Sequence, residues 1–252
     1  MKIFVVFGSK SDENVSLPLV DALKKDFEVE YEAISAHRDL DKLHAKMHDW
    51  KGDAVIAGAG LAAALPGVVA AMVKIPVFGV AVPSQFGGLD SFASIAQMPP
   101  GVPVMTAGPD NPKEIVTFLK GYSKTRADMS RINFVAPSPE YLGDAELLAE
   151  IEKARTAAKE RGIEVGLTAA SSTNGAFDVR LVAEEVHIHP GEFCLHVPLF
   201  SKAATQKPET YLQILKWANK GGLWVGCNNT RNAVASVSRL GAAAKIAQGR
   251  AA

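Results

Sequence analysis

The first half of the chain carries its apolar residues in short uninterrupted runs, separated by amphipathic or small-residue segments. The clearest run opens at Val55, passes through the glycine turn Gly58–Gly60, continues through a small-residue helix around Leu65–Met72 and returns to a second run at Pro76–Val82. Because consecutive rather than alternate positions are apolar, both faces of these strands are predicted to be covered, as in a parallel sheet between helices. The pattern predicts an α/β domain.

The same pattern predicts five strands and their helices by about Gly121. The predicted strands are Lys2–Phe7, Val29–Ile34, the run from Val55, Pro76–Val82 and Val102–Ala107, and the predicted helices are Val15–Lys25, Asp39–Trp50, Leu65–Met72, Ser91–Gln97 and Asn111–Lys120. The charged and polar stretch Tyr122–Ser130 is typical of a linker. We therefore expect a first domain over residues 1–121.

The rest of the chain, residues 131–252, repeats this order in outline. The predicted strands are Arg131–Ala136, Ile163–Ala170, Phe193–Leu199 and Leu223–Gly226, and the predicted helices are Asp144–Arg161, Tyr211–Asn219 and Arg231–Leu240. Between Ala170 and Phe193 only Val182–His189 remains where the first half has a third strand and a crossover helix, and a parallel crossover takes a dozen or more residues. We expect an internal duplication whose second copy lacks a strand or its helix.

Composition and charge predict a globular protein of the cytoplasm. The 252 residues are 48% hydrophobic and carry no formal net charge, which argues against nucleic acid and anionic membranes as partners. The first apolar run is too short for a signal peptide, and two prolines interrupt the most apolar window, Leu61–Val82, so we expect no membrane span. Two cysteines, Cys194 and Cys227, suit a reducing compartment.

Candidate chemistry lies in turns that follow the first three strands. The turn Gly8–Asp12 is rich in hydroxyl and carboxylate side chains that can cap a helix, and its free backbone N–H groups at a helix start suit a phosphate, although ordinary helix capping uses the same residues. His37 and Arg38 follow the second strand. The glycines of Gly58–Gly60 either admit a ligand close to the backbone or allow close packing of a helix. Because parallel strands end at one edge of a sheet, we expect these turns to converge, which favours a binding site.

Six motifs in this region occur in a recognisable order. They are Gly8-Ser9-Lys10-Ser11-Asp12, Ser35-Ala36-His37-Arg38, Ala57-Gly58-Ala59-Gly60 with Leu65-Pro66-Gly67, Gly79-Val80-Ala81-Val82, Leu89-Asp90-Ser91, and Gln97-Met98-Pro99 with Gly101-Val102-Pro103-Val104. Together they resemble the class I 5-(carboxyamino)imidazole ribonucleotide mutases, the aminoimidazole ribonucleotide carboxylases of purine biosynthesis. The resemblance spans about Lys2–Thr106. It implies a flavodoxin-like three-layer fold, an octamer with sites between subunits, no metal and no cofactor. For a duplicated chain we expect an equivalent homotetramer.

The resemblance also implies roles for residues in the turns. The residues that would bind the phosphoribosyl imidazole substrate are Ser9, Asp12, Ser35, Arg38, Gly58 and Gly60. His37 would be the acid/base. In that family the carbamate loses carbon dioxide inside a closed pocket, the imidazole carbon attacks the trapped gas, and a histidine removes the ring proton. Imidazole suits this task because it titrates near neutral pH.

Two positions depart from the family pattern. Ala64 stands where the family has a pocket histidine, and Pro100 stands where it has an arginine after Met-Pro. The second copy, in contrast, keeps an asparagine-rich turn before its last helix. We hypothesise that Asn228, Asn229 and Asn232 line the site of the first copy or replace a neighbouring subunit there.

Two classes of function fit these residues. The first is an enzyme that converts 5-(carboxyamino)imidazole ribonucleotide to 4-carboxy-5-aminoimidazole ribonucleotide, with direct carboxylation by free carbon dioxide as a variant. The intact Ser9, Asp12, His37 and Arg38 favour it. The second is a non-catalytic protein that binds ribonucleotide phosphate or serves assembly, which the two departures favour.

Overall fold

The structure is a computed structural model that describes residues 1–125 and 127–251, with side chains in the last helix described as far as residue 244. The elements of the first half are β1 (Lys2–Phe7), α1 (Glu13–Leu23), β2 (Glu28–Ala33), α2 (Leu40–Asp49), β3 (Ala54–Ala59), α3 (Leu65–Met72), β4 (Val77–Ala81), α4 (Leu89–Ala96), β5 (Met105–Ala107) and α5 (Glu114–Lys124). Those of the second half are β6 (Asp128–Val135), α6 (Ala145–Lys159), β7 (Glu164–Thr168), β8 (Ala176–Val182), β9 (Leu195–Pro198), α7 (Pro208–Ala218), β10 (Leu223–Trp224) and α8 (Thr230–Ala251).

The described strands form one sheet in the order β2-β1-β3-β4-β5-β10-β9-β8-β6-β7. The first five strands run parallel in the order 2-1-3-4-5 that is typical of flavodoxin-like domains. The second five repeat that order and are also parallel to one another. The half-sheets join where β10 pairs antiparallel with β5, with Leu223 opposite Ala107. The repeated order supports the internal duplication expected from the sequence.

The second half, here called the second copy, contains an equivalent of the third strand but lacks two of the helices of the first half. The strand β8 lies where β3 lies in the first copy, within a stretch for which the sequence pattern predicted no strand start. Residues 169–175 join β7 to β8 without a helix, and residues 183–194 join β8 to β9 with only a short 3-10 turn at Glu185–His187. The equivalents of α2 and α3 are therefore the missing parts.

Polar side chains cover the sheet face that these two helices would otherwise bury. The Asn133 amide donates to the Ala170 carbonyl at 3.1 Å and to the Asp178 carboxylate at 2.9 Å, and Asp178 also accepts from the Ser172 backbone N–H at 3.0 Å. Half-buried and buried positions alternate from Ala176 to Leu181 along β8, whereas every residue of β3, its equivalent in the first half, is buried. This alternation is what a strand with one solvated face requires.

The segment Tyr122–Ser130, predicted to be a linker, is largely structured. The helix α5 continues to Lys124 and β6 begins at Asp128. Phe118 of α5 packs between the halves, with its ring centroid 5.7 Å from that of Phe78 in β4 and 6.3 Å from that of Phe177 in β8. The two copies therefore share one hydrophobic core. In the part of the chain that the structure describes, no helix is both long enough and apolar enough to cross a bilayer.

Candidate active site

A cavity of about 440 Å³ opens at the carboxyl ends of the first-half strands. Its lining residues are Gly8, Ser9, Ser11, Asp12, Ser35, Ala36, His37, Arg38, Ala59, Gly60, Leu61, Ala62, Ala64, Leu65 and Ser84. The convergence expected from parallel strands is therefore observed, because turns after four neighbouring strands meet here. Of the residues predicted to form the site in the first copy, Gly58 is the one outside this lining.

Hydroxyl groups organise the turn after β1. The Ser9 hydroxyl oxygen accepts hydrogen bonds from the Ser11 backbone N–H at 3.2 Å and from the Ser11 hydroxyl at 2.8 Å. The Ser11 hydroxyl also lies 3.1 Å from a carboxylate oxygen of Asp12. Burial raises the pKa of the Asp12 carboxyl, and the hydrogen bond from Ser11 partly opposes this rise. Ser9 thus caps the short 3-10 turn Lys10–Asp12 and still faces the cavity, so capping and ligand binding are compatible here.

The turn after β2 is held by a buried serine. The Ser35 hydroxyl oxygen accepts from the backbone N–H groups of His37 and Arg38, both at 3.3 Å. The side chains of His37 and Arg38 are exposed and form no hydrogen bond or ion pair with the residues that the structure describes. Ser35 therefore fixes the backbone, which leaves an imidazole and a guanidinium available at the cavity.

Gly58 lies in the sheet, outside the lining of the cavity. A Cβ atom at this position would lie 2.3 Å from the Phe7 ring, and the Gly58 carbonyl accepts from the Gly8 N–H at 3.0 Å. Close packing against Phe7 explains the glycine at this position, and substrate binding by Gly58 stays a prediction. Gly60 does line the cavity, and a Cβ there would lie 3.2 Å from the Cβ of Ser84.

One wall of the cavity is apolar and faces the polar turns. It consists of Ala59, Leu61, Ala62, Ala64 and Leu65. Leu61 is 62% exposed, and Ala62 has a positive φ of 47°, which is uncommon outside glycine and asparagine. Ala64, where the resembling family has a histidine, is thus part of the lining. Among the lining residues that were not predicted to form the site are Ser11, Leu61, Ala62 and Ser84. Ser84 follows β4, so the rule that parallel strands share one edge would have indicated it.

The asparagine-rich turn of the second half lies at the amino ends of the first-half strands, away from the cavity at their carboxyl ends. Asn229 and Asn232 bond to the loop between α4 and β5, where the Met98 carbonyl accepts from Asn229 at 2.8 Å and the Gly101 N–H donates to Asn232 at 2.8 Å. Among the residues that the structure describes, the Asn228 side-chain amide bonds to the backbone of Phe200 in its own half. The lining of the cavity thus does not include Asn228, Asn229 or Asn232 of the same chain, and their role in place of a neighbouring subunit stays a prediction. Pro100 belongs to the same distant loop.

Comparison with known proteins gives matches to the first half of the chain. The family model described as AIR carboxylase matches residues 2–117. An N5-carboxyaminoimidazole ribonucleotide mutase of Pyrococcus abyssi is 49% identical over 118 residues, which are 44% of this chain and 67% of that protein. The mutase of Saccharolobus solfataricus is 47% identical over 111 residues, covering 42% of this chain and 70% of that protein.

The chain belongs to the AIR carboxylase family. The mutase of Thermotoga maritima gives a similar match, with 43% identity over 118 residues, 44% of this chain and 68% of that protein. All turns that form the cavity fall inside the region matched by the AIR carboxylase model. That region ends within α5, so the second copy lies beyond the family match.

Proposed function

We propose that this member of the AIR carboxylase family is a 5-(carboxyamino)imidazole ribonucleotide mutase, which forms 4-carboxy-5-aminoimidazole ribonucleotide for purine biosynthesis. The observation that carries the proposal is the cavity itself. It collects Ser9, Asp12, His37 and Arg38 on one side and an apolar wall on the other. The relatives that share this region at 43–49% identity bear the name of that mutase.

The polar side of the cavity suits the phosphoribosyl part of the substrate. Arg38 is exposed and without an acidic partner among the described residues, so its guanidinium is available for a bidentate contact to phosphate. The hydroxyls of Ser9 and Ser11 add neutral donors. The carboxylate of Asp12 would repel a phosphate, and it accordingly suits the ribose hydroxyls.

His37 and the apolar wall suit the chemical step. The N–C bond of the carbamate breaks, which releases carbon dioxide and returns the electron pair to nitrogen, where a proton is added. The imidazole carbon then bonds to the same carbon dioxide, and His37 removes the proton displaced from that carbon. Carbon dioxide is neutral, so Leu61, Ala62 and Ala64 form a suitable wall beside it. Atoms and charge balance because no group is gained or lost overall.

The proposal is tested by following product formation with the purified full chain. We expect turnover of the carbamate substrate by the wild-type protein and a loss of about 10²–10⁴-fold in His37→Asn. Equal background rates in both proteins would contradict the proposal and favour a protein that only binds the ribonucleotide. Aminoimidazole ribonucleotide supplied with bicarbonate provides the second arm. Faster turnover with that pair than with the carbamate would identify a direct carboxylase.

We further propose that the enzyme acts in the cytoplasm as a homotetramer. Two exposed apolar side chains support an assembly. Leu61, which lines the cavity, is 62% exposed, and Phe86, two residues after Ser84, is 77% exposed and has a positive φ of 49°. A large apolar side chain held outward by an uncommon backbone conformation is typical of a contact surface. Sedimentation equilibrium should give the mass of four chains, and a monomer at micromolar concentration would contradict the proposal.

A further inference from the structure

The short helix α3 connects the cavity with the second copy of the duplicated fold. Ala64 and Leu65, at its amino end, line the cavity. The helix has 8 residues and no hydrogen bond from a side chain at its N-cap. Helices this short are marginal by themselves, so tertiary contacts decide where they lie. Whatever holds α3 therefore also sets the position of the apolar wall.

The first such contact comes from Arg239 of α8. Its Nη2 donates to the Ala70 carbonyl at 2.9 Å, in the last turn of α3, where carbonyls lack partners inside the helix. Positive charge is also favourable at this end of a helix dipole. Burial lowers the pKa of Arg239 to about 10, and its Nη1 is buried without a partner among the described residues. Burying a guanidinium in this way is costly, which marks the contact with α3 as a specific one.

The second contact runs through the loop between α4 and β5. The Met98 carbonyl accepts from the side-chain amides of Asn229 and Asn232 at 2.8 Å and 3.2 Å. Both asparagines are almost fully buried. The side chain of Met98 in turn packs on α3, since a Cβ at Gly67 would lie 2.8 Å from the Met98 Cε. The second copy therefore reaches α3 both at its last turn and through Met98 at Gly67.

We propose that the second copy positions α3, and through it the cavity wall at Ala64 and Leu65, without placing any of its own residues in the cavity. Arg239 and Asn229 are then positioning residues. This role goes beyond the proposed function, because it concerns residues outside the family match, and only its kinetic test rests on that function.

Four variants of the full chain separate this role from general stability. Arg239→Met keeps the length of the side chain but removes its charge and donors, and Arg239→Lys retains one cation that can bond to Ala70. Arg231→Met is the matched control, because Arg231 lies on the same helix, is exposed and bonds to no described residue. Asn229→Asp keeps the oxygen that accepts from the Asn232 N–H at 3.2 Å but loses the donor to Met98.

Hydrogen exchange measured by mass spectrometry provides the readout that does not depend on activity. In Arg239→Met and Asn229→Asp we expect exchange in residues 60–73 to accelerate about tenfold, with α1 unchanged, whereas Arg231→Met matches the wild type. Arg239→Lys should fall between them. Unchanged exchange in residues 60–73, or acceleration spread equally over α1, would overturn the proposal. If Arg239→Met does not fold, the exchange of Asn229→Asp tests the proposal instead. This variant should fold because it keeps the oxygen that caps the amino end of α8.

Kinetics provide the second readout. Because the phosphate-binding turns are untouched, Arg239→Met should lower kcat about tenfold and leave KM within about twofold. A rise in KM alone would contradict an effect on the cavity wall. If the wild-type chain turns over no mutase substrate, the proposed function fails while the exchange experiment still tests the coupling.

Discussion

The Ser35 hydroxyl accepts a hydrogen bond from the backbone N–H of His37 at 3.3 Å. The next N–H, that of Arg38, bonds to the same oxygen at the same distance. Ser35 is 7% exposed and lies at the back of the turn, while His37 and Arg38 are exposed at its tip. The buried Ser35 side chain thus holds the backbone that presents the His37 imidazole and the Arg38 guanidinium to the cavity. Ser35 accordingly acts on the site through its neighbours.

Replacing this hydroxyl should impair catalysis more than stability. In Ser35→Ala the turn loses its acceptor, so we expect kcat/KM to fall about tenfold while the free energy of unfolding falls by about 1 kcal/mol. Steady-state kinetics and urea unfolding measure the two effects. Ser35→Thr, which retains the hydroxyl, should recover most of the activity. Wild-type kinetics in Ser35→Ala would show that the turn needs no such support.

The sequence predicted the cavity well because the position of the cavity depends on the topology of the sheet. Consecutive apolar runs imply parallel strands, and parallel strands bring their following turns to one edge, so Ser9, His37 and Arg38 could be placed together before any coordinates. The roles of individual glycines could not be predicted. Gly58 and Gly60 stand two residues apart in one motif, and only the Phe7 ring beside the first and Ser84 beside the second distinguish packing from lining.

The second copy was harder to predict for a different physical reason. The strand β8 alternates buried Phe177, Val179 and Leu181 with half-buried polar residues, which signals a sheet with one solvated face. A search for covered parallel strands overlooks this pattern. Likewise, the hydrogen-bond partner of a buried asparagine is whichever backbone group the fold brings within reach of it. The sequence therefore could not indicate that Asn229 and Asn232 hold Met98 rather than a ligand.

The pH dependence of stability should report the burial of Asp12. Its pKa is raised above the ordinary value of 3.8, chiefly by burial. A carboxyl with a higher pKa in the folded protein than in the unfolded chain favours folding when it is protonated, and this contribution is lost as the pH rises through the folded value. We therefore expect Asp12→Asn to raise Tm at pH 7 by on the order of 1–3 °C, with the gain shrinking toward pH 3.5.

Calorimetry across this pH range measures the effect, and Asp39→Asn serves as the control, because Asp39 is exposed and lies outside the cavity lining. The stabilised Asp12→Asn protein should bind substrate less well, as expected when a site retains a residue at some cost in stability. A lower Tm at pH 7 would instead indicate that the Asp12 carboxylate stabilises the fold.

Gly58 at the end of β3 and Gly60 in the loop after it should respond differently to alanine. Gly58→Ala would place a Cβ 2.3 Å from the Phe7 ring in a buried strand, so we expect a loss of about 3 kcal/mol in the free energy of unfolding. Gly60→Ala meets Ser84 at 3.2 Å in a loop that can shift, and it should mainly lower activity. Ser84→Gly removes the opposing atoms and should partly restore Gly60→Ala. Additive losses in the double variant would contradict this steric explanation.

Unfolding should involve both copies at once, because their shared sheet and core join them. Phe118 lies 5.7 Å from Phe78 of the first copy and 4.7 Å from Phe193 of the second, measured between ring centroids. Phe118→Ala should therefore lower the free energy of unfolding by about 3–5 kcal/mol, and it should lower the urea unfolding midpoints of both halves together. The exposed Val186→Ala serves as the control, because Val186 is 74% exposed, and it should leave both midpoints unchanged. Urea unfolding followed through Trp50 alone, and through Trp224 alone, in single-tryptophan variants reports each half separately. Coincident midpoints would support one cooperative unit, whereas a first copy that stays folded after the second has unfolded would indicate two independent domains.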